Sequence, residues 1–190
     1  MVRLVMGQRL IEKQIEITIR PLRFSDAAAV QRYASDERVA RTTTIPRPYP
    51  ENGGETFVRT GIRAHENREA FFFAIVADGD MVGVVELGAF NYEKRSARCD
   101  YGIASSHWGR GITTRAVALA LNYAFCELGM DIVHSACLKR NPASARVLEK
   151  NGFQETEGFI YNSSKFENEP ARRFQLTRQA WMAAQAEESS

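Results

Sequence analysis

Trp108-Gly109-Arg110-Gly111-Ile112-Thr113-Thr114 joins a strand-like run ending at Ile103 to a stretch in which Val117, Ala120, Leu121, Ala124 and Leu128 recur at helical spacing, closed by Gly129. Glycines let a backbone approach a bound group closely. Successive N–H groups at a helix start, together with the positive end of its dipole, make an anion site. Spacing separates the kinds of phosphate loop. A Walker loop, G-x-x-x-x-G-K-[ST], is absent. A dinucleotide fingerprint needs its first glycine directly after the strand and a third glycine where Thr114 stands. Here Gly109 lies six positions beyond Ile103, and Asp131 begins the next strand instead of ending it.

Upstream, Ile15, Ile17 and Ile19 alternate with Glu16, Thr18 and Arg20, the pattern of a half-buried strand closed by Pro21. Ser25-Asp26 is expected to cap an alanine-rich helix through Tyr33. Thr42 to Pro50, with three prolines and three threonines, reads as loop. A weak helix is expected between Glu55 and Asn67, where Gly61 and the preceding Gly53 and Gly54 lower propensity. Ala70 to Val76, the turn Asp78-Gly79-Asp80, Met81 to Phe90 and Arg98 to Ile103 form a meander of strands.

Downstream, Ile132 to Leu138 is a strand. Asn141 is an N-cap with Pro142 at the first helical position, and Gly152-Phe153 fits a Schellman end with Phe153 packing on Leu148. Phe153 to Tyr161 and Arg172 to Leu176 are the last strands, and Gln185 to Ser190 is a frayed tail. The order β-α-α-β-β-β-α-β-α-β-β describes an α/β (α+β) fold, a mixed sheet with helices packed on it.

Composition bounds the function. At 190 residues the chain has the length of one domain, assigned to residues 15–181 with 1–14 as an N-terminal extension and 182–190 as the tail. A hydrophobic fraction of 44% with 25% charged residues is globular and excludes disordered or fibrous chains. A formal charge of +2 is too mild for nucleic acid, and no apolar run approaches a membrane span or a signal sequence. Cys99, Cys126 and Cys137 are odd in number without metal-type spacing, which points to a reducing, cytoplasmic setting. His65, His107 and His134 are scattered, so no metal site is expected. His134 and Cys137, three apart on a strand, point to opposite faces, and nothing favours a Cys-His nucleophile.

The glycine loop opening the long helix, Tyr123-Ala124-Phe125 inside it, Asn141-Pro142-Ala143-Ser144, and Arg146-Val147-Leu148-Glu149-Lys150-Asn151-Gly152-Phe153 followed by Glu157-Gly158 resemble the GNAT N-acetyltransferase superfamily. Within it they are most similar to the branch of ribosomal-protein alanine N-acetyltransferases. Arg20-Pro21-Leu22 with Asp26 is similar to that family's opening strand and helix, so the resemblance runs from Ile15 to Trp181. It implies a mixed, mostly antiparallel central sheet flanked by helices and splayed between the strand ending near Ile103 and the one starting near Ile132. It implies acetyl-CoA as cosubstrate, its pyrophosphate on Trp108, Gly109, Arg110, Gly111, Ile112, Thr113 and Thr114. The arm would lie against backbone groups of Tyr101, Gly102 and Ile103, one N–H polarising the thioester carbonyl, with Asn141 and Ser144 in contact.

The implied reaction is direct attack of a primary amine in a ternary complex. Deprotonating an α-amine of pKa about 7.7–8.0 at pH 7 costs roughly 1.2 kcal/mol, against roughly 4.6 kcal/mol for lysine, so a weak base suffices for an α-amine. Glu157, in the Glu-Gly pair, is the first candidate base, with Glu86 and Asp100 as alternatives. Ser144 is the candidate acid, since Leu148 stands where many members carry a tyrosine. Thr113, Trp108, Arg115 and Pro170 depart from the family pattern; Arg115, a cation in the first helical turn, is a candidate phosphate contact. Arg41, Arg47, Arg172 and Arg173, on the Thr42 to Pro50 loop and the last strands expected to line the pocket, slightly favour acceptors with carboxylates or acidic flanks. A protein N-terminal α-amine and a small-molecule amine both stay open, as does a homodimer. The alternative is a catalytically weak acyl-CoA-binding or regulatory protein.

Overall fold

Alternating Ile17 and Ile19 place an edge strand, β1 (Ile17–Pro21), against β2 (Phe71–Ala77). The computed structural model describes residues 15–163 and 165–188, so the expected extension 1–14 and the final two serines lie outside the described residues. Asp78 and Gly79 at φ 49° and 92° form the turn that a tight hairpin requires between β2 and β3 (Asp80–Asn91). The meander continues into β4 (Ser96–Ile103), then the chain crosses over to β5 (Ile132–Leu138). β6 (Gln154–Glu155), β7 (Phe159–Tyr161) and β8 (Glu169–Thr177) complete one eight-stranded sheet, ordered β1-β2-β3-β4-β5-β8-β6 with β7 also on β8. Among the described residues only β4 and β5 pair in parallel. The sheet is mixed and mostly antiparallel, flanked by helices.

The two-residue period of the strands sends apolar side chains to both faces. Phe71, Phe73, Ile75, Val85, Leu87 and Cys99 pack on one face under Ala116, Val117, Ala120 and Leu121 of α4 (Ile112–Asn122) and Ala145 and Leu148 of α5 (Pro142–Lys150). Ala74 and Val84 pack on the other, under α1 (Ala27–Ala34), α2 (Glu37–Ala40) and α3 (Gly53–Glu66). α3 begins at Gly53, ahead of the expected Glu55, and its glycines have a packing cause: a Cβ on Gly54 would stand 2.4 Å from the Ala27 carbonyl oxygen. Its weak propensity is overridden by this close crossing of α1.

Four local expectations change. Asp26 does not cap α1; a 3-10 turn, Phe24–Asp26, precedes that helix, and the carboxylate turns back to β1. There it accepts two 2.8 Å bonds from Arg20 and one from the Arg23 N–H. The four-residue α2, capped by Asp36, lies in a stretch given no element from sequence. The expected tail is helical over its described part: α6 (Arg178–Glu188) follows β8 directly, with the Trp181 and Phe125 rings tilted against each other at 5.2 Å. The expected strand Phe153 to Tyr161 is broken into β6 and β7 by residues 156–158. The ends of α5 form as read: Asn141 Oδ1 accepts from the Ser144 N–H, and the Phe153 and Gly152 N–H groups donate to Leu148 and Glu149 carbonyls.

Burial alone would raise the Asp26 carboxyl, but the Arg20 and Arg23 hydrogen bonds hold it below the usual carboxylate range. Its contribution is present above the unfolded-state value and is lost as pH falls through the folded one. Asp26→Ala should therefore cost about 2–4 kcal/mol in urea unfolding at pH 7, and the deficit should shrink towards pH 3. An unchanged midpoint at pH 7 would rule out this tether.

Candidate active site

Parallel pairing of β4 with β5 runs from Ser96↔Ile132 to Arg98↔His134 and stops, although β4 continues to Ile103 and β5 to Leu138. A cleft of about 980 Å³ occupies this region. Because strand neighbours alternate in direction, its lining comes from both faces of the sheet. Glu86, Arg98, Asp100, His134 and Arg173 stand on the face carrying α1 to α3; Tyr101, Ser135 and Cys137 stand on the other. His134 and Cys137 thus point to opposite faces and still share one cleft.

On the first face, Glu86 is the register partner of Asp100, and Arg98 donates to Asp100 at 2.5 Å. Burial, with the nearby Asp100 carboxylate, pushes the half-buried Glu86 carboxyl up to about 7 against the pull of Arg98. Gly88 leaves room for it, since a Cβ there would lie 2.9 Å from Glu86 Oε1. His134 is held below its ordinary value by burial and then by Arg173. Thr42, Thr43 and Thr44 overhang this side, joined by Phe159, Tyr161 and Phe166. Lys165 ties the two loops together, donating to the carbonyls of Ala40, Thr43 and Ile45.

On the second face, the Tyr101 hydroxyl lies 3.0 Å from the Ser144 carbonyl oxygen and 2.9 Å from Ser144 Oγ. Burial raises the phenol above its ordinary value, so it stays protonated. One hydroxyl proton cannot serve two acceptors fully, so either Tyr101 or Ser144 donates in the Oη···Oγ contact. The Cys137 thiol, also near Ser144, is raised by burial despite the pull of Arg172.

The glycine loop closes one end. Gly109 and Gly111 both take φ 74°, which side-chain-bearing residues adopt at a cost, and a Cβ on either would meet open space. Backbone conformation, not crowding, selects glycine here. Gly111 is the N-cap of α4 and no side chain caps that helix. Its first N–H groups are left for a ligand. Arg146 and Lys150 line the same end from α5, whose Asn151 amide donates to the Thr114 carbonyl. Trp108 donates its indole N–H to the Ile103 carbonyl.

Of the residues singled out from sequence, Glu86, Asp100, Tyr101, Gly102, Ile103, Trp108, Gly109, Gly111, Thr113, Thr114, Asn141 and Ser144 line the cleft. Glu157 does not; it is exposed between β6 and β7. Ile112 is buried in the core and Arg110 is exposed outside the lining. Arg115 is exposed and also outside it. Of the four arginines expected around the pocket, Arg41, Arg47, Arg172 and Arg173, only Arg173 lines the cleft. Arg47 pairs with Glu37, and Arg172, on the opposite face, pairs with Glu149 and Glu155. The Tyr101 hydroxyl, Arg98 and His134 were not read as side-chain groups of the site. Register is their only signal, and it exists once β4 and β5 are known to be neighbours.

The sheet is thus opened along the one parallel pair among the described residues, with an uncapped helix N-terminus at one end of the cleft. The pattern of the Acetyltransferase (GNAT) domain matches residues 16–154, and the chain belongs to that family. It is 33% identical over 96 residues to a spermidine N(1)-acetyltransferase of Vibrio cholerae, covering 50% of this chain and 55% of that protein. The chain spans about half the length of the curated relatives it matches in this way. Among solved structures, Mycobacterium smegmatis RimJ in complex with CoA-disulfide superposes with a TM-score of 0.78 at 24% identity, covering 90% of this chain and 89% of that one. The ribosomal-protein-S5-alanine acetyltransferase of Vibrio fischeri gives a TM-score of 0.75 at 21% identity over 87% and 94%. Among the described residues no helix is long and apolar enough to cross a membrane, and no group of three metal-ligating side chains gathers.

If Asp100 helps to hold the Glu86 carboxyl near neutrality, Asp100→Asn should lower its midpoint from about 7. The substitution removes a like charge and releases Arg98 towards Glu86. The side-chain carboxyl carbon shift of Glu86, followed by NMR from pH 4 to 9, reads this directly; an unmoved or raised midpoint would contradict it.

Proposed function

We propose that this chain is an acetyl-CoA-dependent N-acetyltransferase acting on a primary amine by direct attack in a ternary complex. The observation carrying this reading is the cleft between β4 and β5, which sets Glu86 on one face of the sheet and the Tyr101–Ser144 pair on the other. The uncapped start of α4 fits a diphosphate, and Arg146 and Lys150 supply charge for the coenzyme's phosphates. Relatives that bear the names of spermidine and ribosomal-protein acetyltransferases support the amine class and leave protein and small-molecule acceptors both in view.

When bound, acetyl-CoA supplies an activated thioester. Glu86 takes the proton from the incoming ammonium, its raised value matching a base that works near neutral pH. Backbone N–H groups of β4 beyond Arg98, unspent on β5, would be the donors available to a thioester carbonyl, and would stabilise charge developing on its oxygen. Ser144 gives its proton to the departing sulfur and regains one through Tyr101. A C–N bond forms and the C–S bond breaks; of the two protons the ammonium loses, one leaves through Glu86 and the other returns through solvent to the Tyr101–Ser144 pair, replacing the proton given to sulfur.

Glu86→Gln should lower kcat by roughly 10²–10⁴-fold with coenzyme A affinity retained. In the wild-type protein kcat/KM should fall as pH drops through about 7, as Glu86 protonates. Glu157→Gln should leave both quantities near wild type; a collapse of kcat in that variant would return the base to Glu157. Coenzyme A titrated by calorimetry should bind about tenfold or more weakly to the Arg146→Ala/Lys150→Ala double variant, and within twofold of wild type to Arg115→Ala. Micromolar binding of acetyl-CoA with no turnover on any amine would replace the enzyme reading by that of an acyl-CoA-binding protein.

A further inference from the structure

Resting on that reading, the charges of the first face narrow the acceptor. Two carboxylates line the cleft, Glu86 and Asp100. Asp100 is spent on Arg98, and Glu86 is half-protonated near pH 7. Arg173 is a different case. Its guanidinium sits over the Phe159 ring at 4.9 Å, and among the described residues it has no carboxylate or hydrogen-bond partner. After burial, it is also the second cause that holds the neighbouring His134 below its ordinary value. A chain of positive charges would therefore meet one contested carboxyl, one paired carboxylate and one unmatched cation.

The register gives the distance scale. Glu86 pairs with Asp100, Arg98 with His134, and Ala136 with Arg173. Glu86 and Arg173 thus stand on one level of the sheet, on β3 and β8, with β4 and β5 between them. Three strand spacings are roughly 14 Å, and the parting of β4 from β5 adds to this. That reach exceeds the separation of amine and carboxylate in a single amino acid. An extended peptide covers it in about four residues at roughly 3.4 Å each.

We infer that Arg173 is an anion subsite for the acceptor, and that the acceptor is a peptide N-terminus carrying an acidic side chain within its first few residues. The α-amine lies against Glu86, and the chain crosses beneath the Thr42–Thr44 loop. Its carboxylate meets Arg173 on the aromatic floor of Phe159. Arginine over a ring is preorganised for such a contact, because its planar face is held by the ring while its N–H edge stays free.

The test compares acetyl transfer to two short peptides that share an N-terminal alanine, one continuing with Glu and Asp and the other with Gln and Asn, and to spermidine. The acidic peptide is expected to exceed the neutral one by about tenfold in kcat/KM at low salt, carried in KM, with the advantage shrinking at about 0.5 M salt. Arg173→Gln should bring the ratio towards one, and Arg173→Lys should retain part of it, both with unaltered circular dichroism. Equal rates on the two peptides, an acidic preference that survives Arg173→Gln, or a kcat/KM for spermidine above both would each overturn the inference while leaving acetyl transfer intact. No turnover on any of the three amines would overturn the enzyme reading and this one together.

Discussion

β4 and β5 are neighbours for three residue pairs and then part. Every feature of the cleft follows from that geometry. A parallel pair needs a crossover, and the crossover here is the glycine loop with α4, which returns the chain to the far side of β4. The same connection therefore brings an uncapped helix N-terminus to the mouth of the opening. Had the ladder continued to Ile103, the backbone groups of β4 would be satisfied by β5 and the two faces would be sealed from one another.

Opening the sheet also explains how one cleft holds groups of opposite chemical bias. The face under α1 to α3 carries the carboxyl side chains, and burial there favours the neutral form of Glu86, raising it to about 7. The other face carries hydroxyls and a thiol, and burial keeps the Tyr101 phenol protonated. A proton acceptor and a proton donor are separated by the thickness of the sheet instead of by sequence distance, and neither quenches the other. Lys165 adds a third element by holding the Thr42–Thr44 loop to the segment before β8, so the roof over the first face is tied at both ends.

Much of this was legible in the chain. The alternation in β1 to β4, the Asp78-Gly79 turn and both ends of α5 were read from side chains that act within a few residues of themselves. So were the loop glycines, whose φ of 74° is a local demand. The misreadings share a physical reason. Asp26 has a good capping side chain, but a partly buried arginine from β1 offers a stronger partner than an N–H group of its own helix. Gly53 and Gly54 lower helix propensity, yet they allow α1 to cross closely enough to offset that loss. Glu157 follows the Gly152-Phe153 corner in a suggestive motif, but the interruption between β6 and β7 turns it to solvent.

The sequence by itself determined the periodic elements, the glycine loop ahead of α4 and the class of residues able to carry acid–base chemistry, because each is encoded over one or two turns of chain. Which carboxylate faces the cleft, that Arg173 meets no carboxylate among the described residues, and which hydroxyl meets Ser144 were decided only by tertiary structure. Those properties depend on register between strands far apart in the chain and on the point where β4 leaves β5. Burial, the cause of the raised Glu86 value, is a property of neighbours that no local pattern specifies.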